Sequence, residues 1–264
     1  MFLTSFRVEE DEKEALLDVL LPLLPAGVHE NGSSLAVFSA APFSRSALEA
    51  AAGRSLDGWA VAEVPADWRS RRALLGGGGV IVGERVSIRS PWDVVPSSEL
   101  IDVVVERRGS AFGSGSHPTT QMCVALMLDL SASGGAADLG CGVGTLAIVA
   151  AKLGWSPVVA VDRVPVAIEV AGENVARNGV EVACAVADLA EDDVPVATLL
   201  LVNAPPPVHA RVVAAITPEV RHVIVSGIVA EEVEVVVAGY RSVGFEVAAA
   251  LGTEDEWIAL RLSS

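Results

Sequence analysis

Ala137-Asp138-Leu139-Gly140-Cys141-Gly142-Val143-Gly144-Thr145 decides the fold. Residues 136–139 are short and apolar, as a buried strand requires, and residues 145–153 have the apolar content of a helix. Three alternating glycines join them. Glycine lets the backbone approach a ligand closely, and a helix N-terminus offers unpaired N–H groups. Such a turn can be no more than a tight strand-to-helix connection, so its surroundings matter. The dinucleotide fingerprint GxGxxG would need its third glycine at position 145, where Thr145 stands. That spacing disfavours a nicotinamide-dependent oxidoreductase.

Outward from this stretch, strands and helices alternate. A helix over residues 118–130 precedes it. After it come strand 158–161, helix 165–177, strand 182–186, strand 198–202, helix 208–216, strand 222–226 and helix 230–243. Helical spacers between strands imply a parallel sheet covered on both faces. Strands 245–250 and 257–262 follow with no helix between them, which implies a terminal antiparallel hairpin. The fold class is therefore α/β, a Rossmann-like, mostly parallel seven-stranded sheet.

The first part of the chain has another rhythm. Residues 2–8 read as a strand and 9–24 as a helix with an acidic first turn, which suits the helix dipole. Residues 27–30 and 35–40 read as strands around Asn31-Gly32, a strong hairpin-turn pair. A helix over 44–52 stops at Gly53, and residues 59–64 form a last strand. This β-α-β-β-α-β order is that of a small α+β ferredoxin-like unit. Residues 66–106 then read as a linker helix over 65–75, a flexible glycine break and a β connector. The expected domains are thus 1–65, 66–106 and 107–264.

Composition limits the functions. The chain has 264 residues, 52% hydrophobic, with 18 basic and 34 acidic residues and a net charge of −16. A phosphate-backbone binder needs a basic face, and the only compact basic cluster is Arg69, Arg71 and Arg72. Direct nucleic-acid binding is not expected, whereas a basic partner is compatible. Lysine is nearly absent, with Lys13 and Lys152 against 16 arginines, which reads as coding bias. Apolar runs fall short of the ~18–20 residues of a membrane span. The acidic N-terminal stretch lacks the features of a signal peptide. Cys123, Cys141 and Cys184 are widely spaced, so neither a disulfide framework nor a metal site follows. The cytoplasm is the expected location.

Two acids sharpen the glycine motif. Asp138 stands two residues before Gly140, giving the D-x-G-x-G-x-G pattern that is the hallmark of S-adenosylmethionine-dependent methyltransferases. Asp162 ends the next strand, where a carboxylate can accept both ribose hydroxyls of a nucleoside. Asp188 follows the third strand and can approach the adenine amine, or be an exposed loop acid. Upstream, Ala111-Phe112-Gly113-Ser114-Gly115-Ser116-His117-Pro118-Thr119-Thr120 opens a helix, with Pro118 at its first position. That N-terminus and the Thr120 hydroxyl can hold a carboxylate such as the methionine end of the cofactor. His117 reads as a capping or orienting residue rather than a base.

Together these stretches resemble the PrmA family, the ribosomal protein L11 methyltransferases. That family carries AFGTGxHxTT, then D-x-G-x-G-x-G, an acid ending the next strand, and a V-A-N step. This chain has AFGSGSHPTT, DLGCGVG, AVDRVPVAI and LLLVNAPPP in the same order. The resemblance extends to the helix containing Trp68, to Ser226-Gly227-Ile228 and to Glu256-Trp257. It implies S-adenosyl-L-methionine as cofactor and S-adenosyl-L-homocysteine as product. The implied contacts begin with Phe112, Gly113 and Thr120. They continue through Asp138, Gly140, Gly142, Gly144, Asp162 and Asp188, and end at Asn203. It also implies that the small N-terminal domain recognises a protein substrate.

Asn203 closes a strand at the carboxyl edge of the sheet. Its side-chain carbonyl, alone or with a backbone carbonyl, can accept the N–H bonds of an amine and aim the lone pair at a methyl group. Asn203 is therefore the candidate catalytic residue, and no general base stands out. After it, Ala204-Pro205-Pro206-Pro207 departs from the family's aliphatic residues. The string is similar to the N-P-P-aromatic motif of amino methyltransferases, but Ala204 intervenes and no aromatic follows. It can equally be a rigid turn before the helix. The leading expectation is an N-methyltransferase acting on a lysine or N-terminal amine of a basic protein. The alternatives are a small-molecule amine methyltransferase and a non-catalytic cofactor-binding module.

Overall fold

The computed structural model describes residues 2–8, 16–17, 29–31, 34–39, 43–63, 79–91, 93, 99–106, 115, 117–253 and 257–264. The chain divides into two compact units, Met1–Gly77 with Arg107–Ala111, and Gly78–Glu106 with Phe112–Ser264.

The smaller unit contains β1 (Phe2–Arg7), β2 (His29–Asn31), β3 (Ser34–Ser39), α1 (Arg45–Ala52) and β4 (Ala60–Glu63). The sheet order is β2-β3-β1-β4, and every pair is antiparallel. Thr4 faces Val37 and Phe6 faces Leu35 across β1 and β3, so one face collects the buried side chains. Leu16 and Leu17, Leu48 of α1 and Leu56 complete that core. Helix α1 starts where the Ser44 hydroxyl accepts the Ala47 N–H and stops at Gly53, whose φ of 67° would strain any other residue. The expected helix over 65–75 lies outside the described residues, as does most of the one over 9–24.

The larger unit opens with β5 (Val80–Val82), β6 (Val86–Arg89) and β7 (Ile101–Val104), a three-stranded sheet of its own. These strands, expected in a connector, cluster with the larger unit. Two asparagines of the helix Pro165–Asn178 explain the attachment. Asn178 and Asn174 exchange hydrogen bonds with the backbone of Val104 and Glu106, as a neighbouring strand would.

The main sheet follows. Its elements are α2 (Pro118–Leu128), β8 (Ala136–Leu139), α3 (Thr145–Lys152), β9 (Val158–Asp162), α4 (Pro165–Asn178) and β10 (Ala183–Val186). Then come β11 (Leu199–Asn203), α5 (Pro206–Ala215), β12 (His222–Val229), α6 (Val233–Arg241), β13 (Glu246–Gly252) and β14 (Trp257–Ser263). The order is β10-β9-β8-β11-β12-β14-β13. All pairs from β10 to β12 are parallel, and β14 runs antiparallel to both of its neighbours. The closing hairpin is present, with β14 inserted between β12 and β13.

The strands are continuously apolar because both faces are covered. In β11, Leu199 and Leu201 join the side holding α2 and α3, while Leu200 and Val202 join the side holding α5 and α6. Three boundaries differ from expectation. Helix α5 begins at Pro206 rather than at 208, because proline's fixed φ suits a first helical turn. Strand β12 runs on to Val229, since after an irregularity Ile228 and Val229 pair with Ile258 and Trp257. The expected helix over 230–243 splits into a 3-10 turn, Ala230–Glu232, and α6. Among the described residues, no helix is long and apolar enough to cross a membrane.

Candidate active site

Strand order reverses at β8, with β9 and β10 to one side and β11 and β12 to the other. Open α/β sheets bind ligands outside the carboxyl ends of the strands at such a switch point. The loop after β8 and Asn203 at the end of β11 meet there, at a partly open cleft. Its lining is Thr120, Asp138, Gly140, Cys141, Gly142, Thr145, Leu146 and Asn203.

The glycine loop is a run of left-handed positions. Gly140, Gly142 and Gly144 have φ of 82°, 53° and 83°, a region that costs other residues about 1–2 kcal/mol each. A Cβ on Gly140 would meet nothing within 4 Å, because that side is the open cleft. Two carboxylates hold the loop. Asp138 Oδ2 accepts the Ala147 N–H at 2.9 Å, in the first turn of α3. Asp162 Oδ2 accepts the Gly142 N–H and its Oδ1 accepts the Val164 N–H, both at 2.9 Å. From the far side, Asn174 Nδ2 donates to Val143 O at 3.0 Å. Burial pushes the Asp138 carboxyl up to about 7, with the Ala147 N–H opposing and the Asp162 charge adding to the rise.

The second wall is the start of α2. His117 is its N-cap, and Nδ1 accepts the Thr119 N–H at 3.3 Å. Nδ1 is therefore unprotonated, so the Thr119 hydroxyl, 2.7 Å away, must donate to it. Thr119 Oγ1 can then only accept from Asn203, whose Nδ2 lies 3.2 Å away. The chain of donors leaves one answer for the Asn203 amide: nitrogen toward Thr119, Oδ1 free for the cleft. His117 thus orients, as its sequence context suggests. Its ring also meets Trp257 edge-on, with centroids 5.4 Å apart, and burial holds its pKa below the usual value. Next to it, the Thr120 hydroxyl is buried without a hydrogen-bond partner among the described residues.

The structure therefore brings together Thr120, Asp138, Gly140, Gly142 and Asn203. Gly144 caps α3 behind the cleft, with room there for a Cβ only 3.1 Å from that of Ala171. Asp162 grips the loop through Gly142 and keeps further acceptor directions on each oxygen. Asp188 is not in the lining; its Oδ1 accepts the Ala190 N–H and its own N–H donates to Asp192, which makes it the cap of a loop turn. Phe112 and Gly113 lie outside the described residues. Sequence reasoning did not single out Cys141, Thr145 and Leu146, although the first two stand in or beside the motif. It also assigned no part to His209 or Thr119.

A model of the family described as ribosomal protein L11 methyltransferase (PrmA) matches residues 76–264. The chain belongs to the PrmA family. Curated PrmA relatives include the ribosomal protein L11 methyltransferase of Desulforamulus reducens, 43% identical over 104 residues, 39% of this chain and 33% of the relative. That of Vibrio campbellii is 41% identical over 99 residues, 37% of this chain and 33% of the relative. The matched stretch thus spans about a third of the length of these curated relatives. Among solved structures, the ribosomal protein L11 methylase of Lactobacillus delbrueckii subsp. bulgaricus superposes with a TM-score of 0.61 at 24% identity. It covers 70% of this chain and 96% of that one, which supports the PrmA fold of the sheet.

Proposed function

We propose that the chain is an S-adenosyl-L-methionine-dependent N-methyltransferase acting on an amine of a basic protein, with ribosomal protein L11 the first acceptor to test. One observation carries this reading. The glycine loop, an unpartnered buried Thr120 hydroxyl and an Asn203 carbonyl of fixed direction converge on one cleft at the switch point.

The cleft suits the cofactor. The side chain of Thr120 would hold its carboxylate, the open face of Gly140 would admit its backbone-hugging portion, and Asp162 would accept its ribose hydroxyls. Asp138, Gly142 and Gly144 shape that cradle, with Phe112 and Gly113 proposed to close it and Asp188 to reach the adenine. When bound, the cofactor supplies an electrophilic methyl group on a sulfonium. The chain's own contribution is alignment, which is what a neutral amine nucleophile needs. Asn203 Oδ1 would accept an amine N–H and direct the nitrogen lone pair along the line of displacement. The proton released as the N–C bond forms passes to solvent.

The residues 1–65 are proposed as a ferredoxin-like substrate-recognition domain, which the β2-β3-β1-β4 antiparallel order supports. Residues 66–106 would carry the connection to a methyltransferase domain over 107–264, with the strands β5–β7 of that connection packed as part of the larger unit. The net charge of −16 is compatible with a basic, cytoplasmic protein substrate and with no direct nucleic-acid contact. A second reading, methylation of a small-molecule amine, is favoured by the Ala204-Pro205-Pro206-Pro207 loop.

Calorimetry with S-adenosyl-L-homocysteine and with NAD, followed by labelled methyl transfer to purified ribosomal protein L11, tests the reading. S-adenosyl-L-homocysteine should bind and NAD should not; the reverse would end it. Asn203→Ala should retain S-adenosyl-L-homocysteine affinity and lose about 100-fold in turnover, the scale of a misaligned reactant.

A further inference from the structure

His209 is a buried histidine that the proposed reaction leaves unused. It is 1% exposed and sits on α5, five residues after Ala204. Its Nε2 lies 2.9 Å from Ala204 O and 3.2 Å from Ser226 O. Carbonyl oxygens only accept, so Nε2 carries the proton. The neutral ring then accepts at Nδ1, where the Tyr240 hydroxyl lies 3.1 Å away and donates. Burial favours this neutral form. One N–H thus ties together the carbonyls that follow the carboxyl ends of β11 and lie within β12.

The Ala204 peptide is held on other sides too. Its N–H donates to Ser226 O at 3.1 Å. Gly227, with φ of 76°, passes so close that a Cβ there would lie 2.7 Å from Ala204 N and 2.9 Å from Ala204 O. The prolines supply the geometry. Pro205 fixes the turn with φ of −68°, and Pro206 and Pro207 start α5 at once, which returns His209 beneath the loop. Ala204 is 8% exposed and does not line the cleft, whereas Asn203 does.

We propose that His209 is a positioning residue that turns the Ala204 carbonyl into the core, so that of the two carbonyls at this loop only Asn203 Oδ1 faces the acceptor. The proposal rests on the reading of Asn203 as the residue that aligns the amine. It assigns to this chain a single-carbonyl acceptor site, held by a His209–Tyr240 pair. A single carbonyl constrains the amine less than two do, so alignment depends on how firmly Asn203 itself is seated.

Three variants test this: His209→Leu, which keeps bulk without a donor; His209→Gln, whose amide can donate to both carbonyls and accept from Tyr240; and Tyr240→Phe. With ribosomal protein L11 as the acceptor, His209→Leu should lose at least tenfold in kcat while S-adenosyl-L-homocysteine affinity stays within twofold. His209→Gln should recover to within threefold of the wild type, and Tyr240→Phe should lie between. Wild-type kcat in a folded His209→Leu overturns the proposal. If His209→Leu does not fold, wild-type kcat in Tyr240→Phe overturns it. If the wild-type protein itself transfers no methyl to that acceptor, the proposed substrate fails, and a second measurement decides His209 independently. In the S-adenosyl-L-homocysteine complex, nitrogen NMR should show His209 protonated at Nε2 only, and Tyr240→Phe should move the Asn203 side-chain amide signals. Protonation at Nδ1, or unmoved Asn203 signals, overturns it.

Discussion

Two loops leave the same sheet edge and solve opposite problems. The loop after β8 leaves backbone open to the cleft: three glycines at positive φ pair their own N–H groups within the fold, Gly140 has open space where a side chain would stand, and two carboxylates tie the turn. The loop after β11 hides backbone: three prolines remove N–H groups, and His209 draws the Ala204 carbonyl inward. The first suits a ligand recognised by shape. The second leaves a lone side chain, Asn203, to meet the acceptor. A site of this kind separates the part that binds from the part that aligns, and each can be broken without the other.

The largest effect should come from the carboxylate beneath the glycine loop. Asp138 is raised from an ordinary value of 3.8 to about 7 by burial. Between those values the folded chain holds a proton that the unfolded chain has lost, so stability falls as pH rises through that window. At 1.36 kcal/mol per pKa unit, the loss is at most about 4 kcal/mol. Urea denaturation at pH 4.5 and pH 8 should show the wild type losing stability relative to Asp138→Asn, whose profile lacks this titration. Parallel pH profiles for the two proteins would mean that Asp138 is not strained by its burial.

The next effect separates the two loops by their glycines. Gly227→Ala meets both an unfavourable φ and the Ala204 backbone. Strain of about 1–2 kcal/mol plus overpacking of about 1–3 kcal/mol places its cost near 3 kcal/mol. Gly140→Ala has the same φ problem but open space around the new methyl, so it should cost only about 1–2 kcal/mol in stability. It should instead weaken S-adenosyl-L-homocysteine binding, since the methyl projects into the cleft. Equal stability losses in the two variants, read from urea midpoints, would remove the distinction between a loop packed on backbone and a loop open to a ligand.

The contrast also governs what was legible in the sequence. The glycine loop announces itself because its physics is local. Asp138, Gly140, Gly142 and Gly144 lie within seven positions, and the strand and helix on either side follow from apolar content alone. The parallel sheet was legible for the same reason: continuous apolar strands such as Leu199–Val202 need two covered faces. The acceptor loop depends on contacts far apart in the chain. Ala204 meets Gly227, His209 meets Tyr240 and Ser226, and Asn203 meets Thr119. No period or motif joins those residues. Asp188 adds a local turn that its place after a strand does not announce: its Oδ1 accepts the Ala190 N–H and its own N–H donates to Asp192.

The smallest effect tests whether Asn203 is aimed or merely present. Thr119 Oγ1 is the acceptor that makes the Asn203 nitrogen face α2. Thr119→Val keeps the shape of the side chain and deletes that acceptor. The amide is then free to turn over and present its N–H₂ group to the acceptor amine, which cannot be aligned by a donor. One hydrogen bond of about 0.5–1.5 kcal/mol corresponds to a loss of about two- to tenfold. The loss should fall on kcat, with S-adenosyl-L-homocysteine affinity unchanged. Thr119→Ser restores the oxygen and should restore turnover. An unchanged kcat in Thr119→Val would place the aiming of Asn203 with His209 and the proline loop alone, and the wall formed by α2 would then contribute binding only through Thr120.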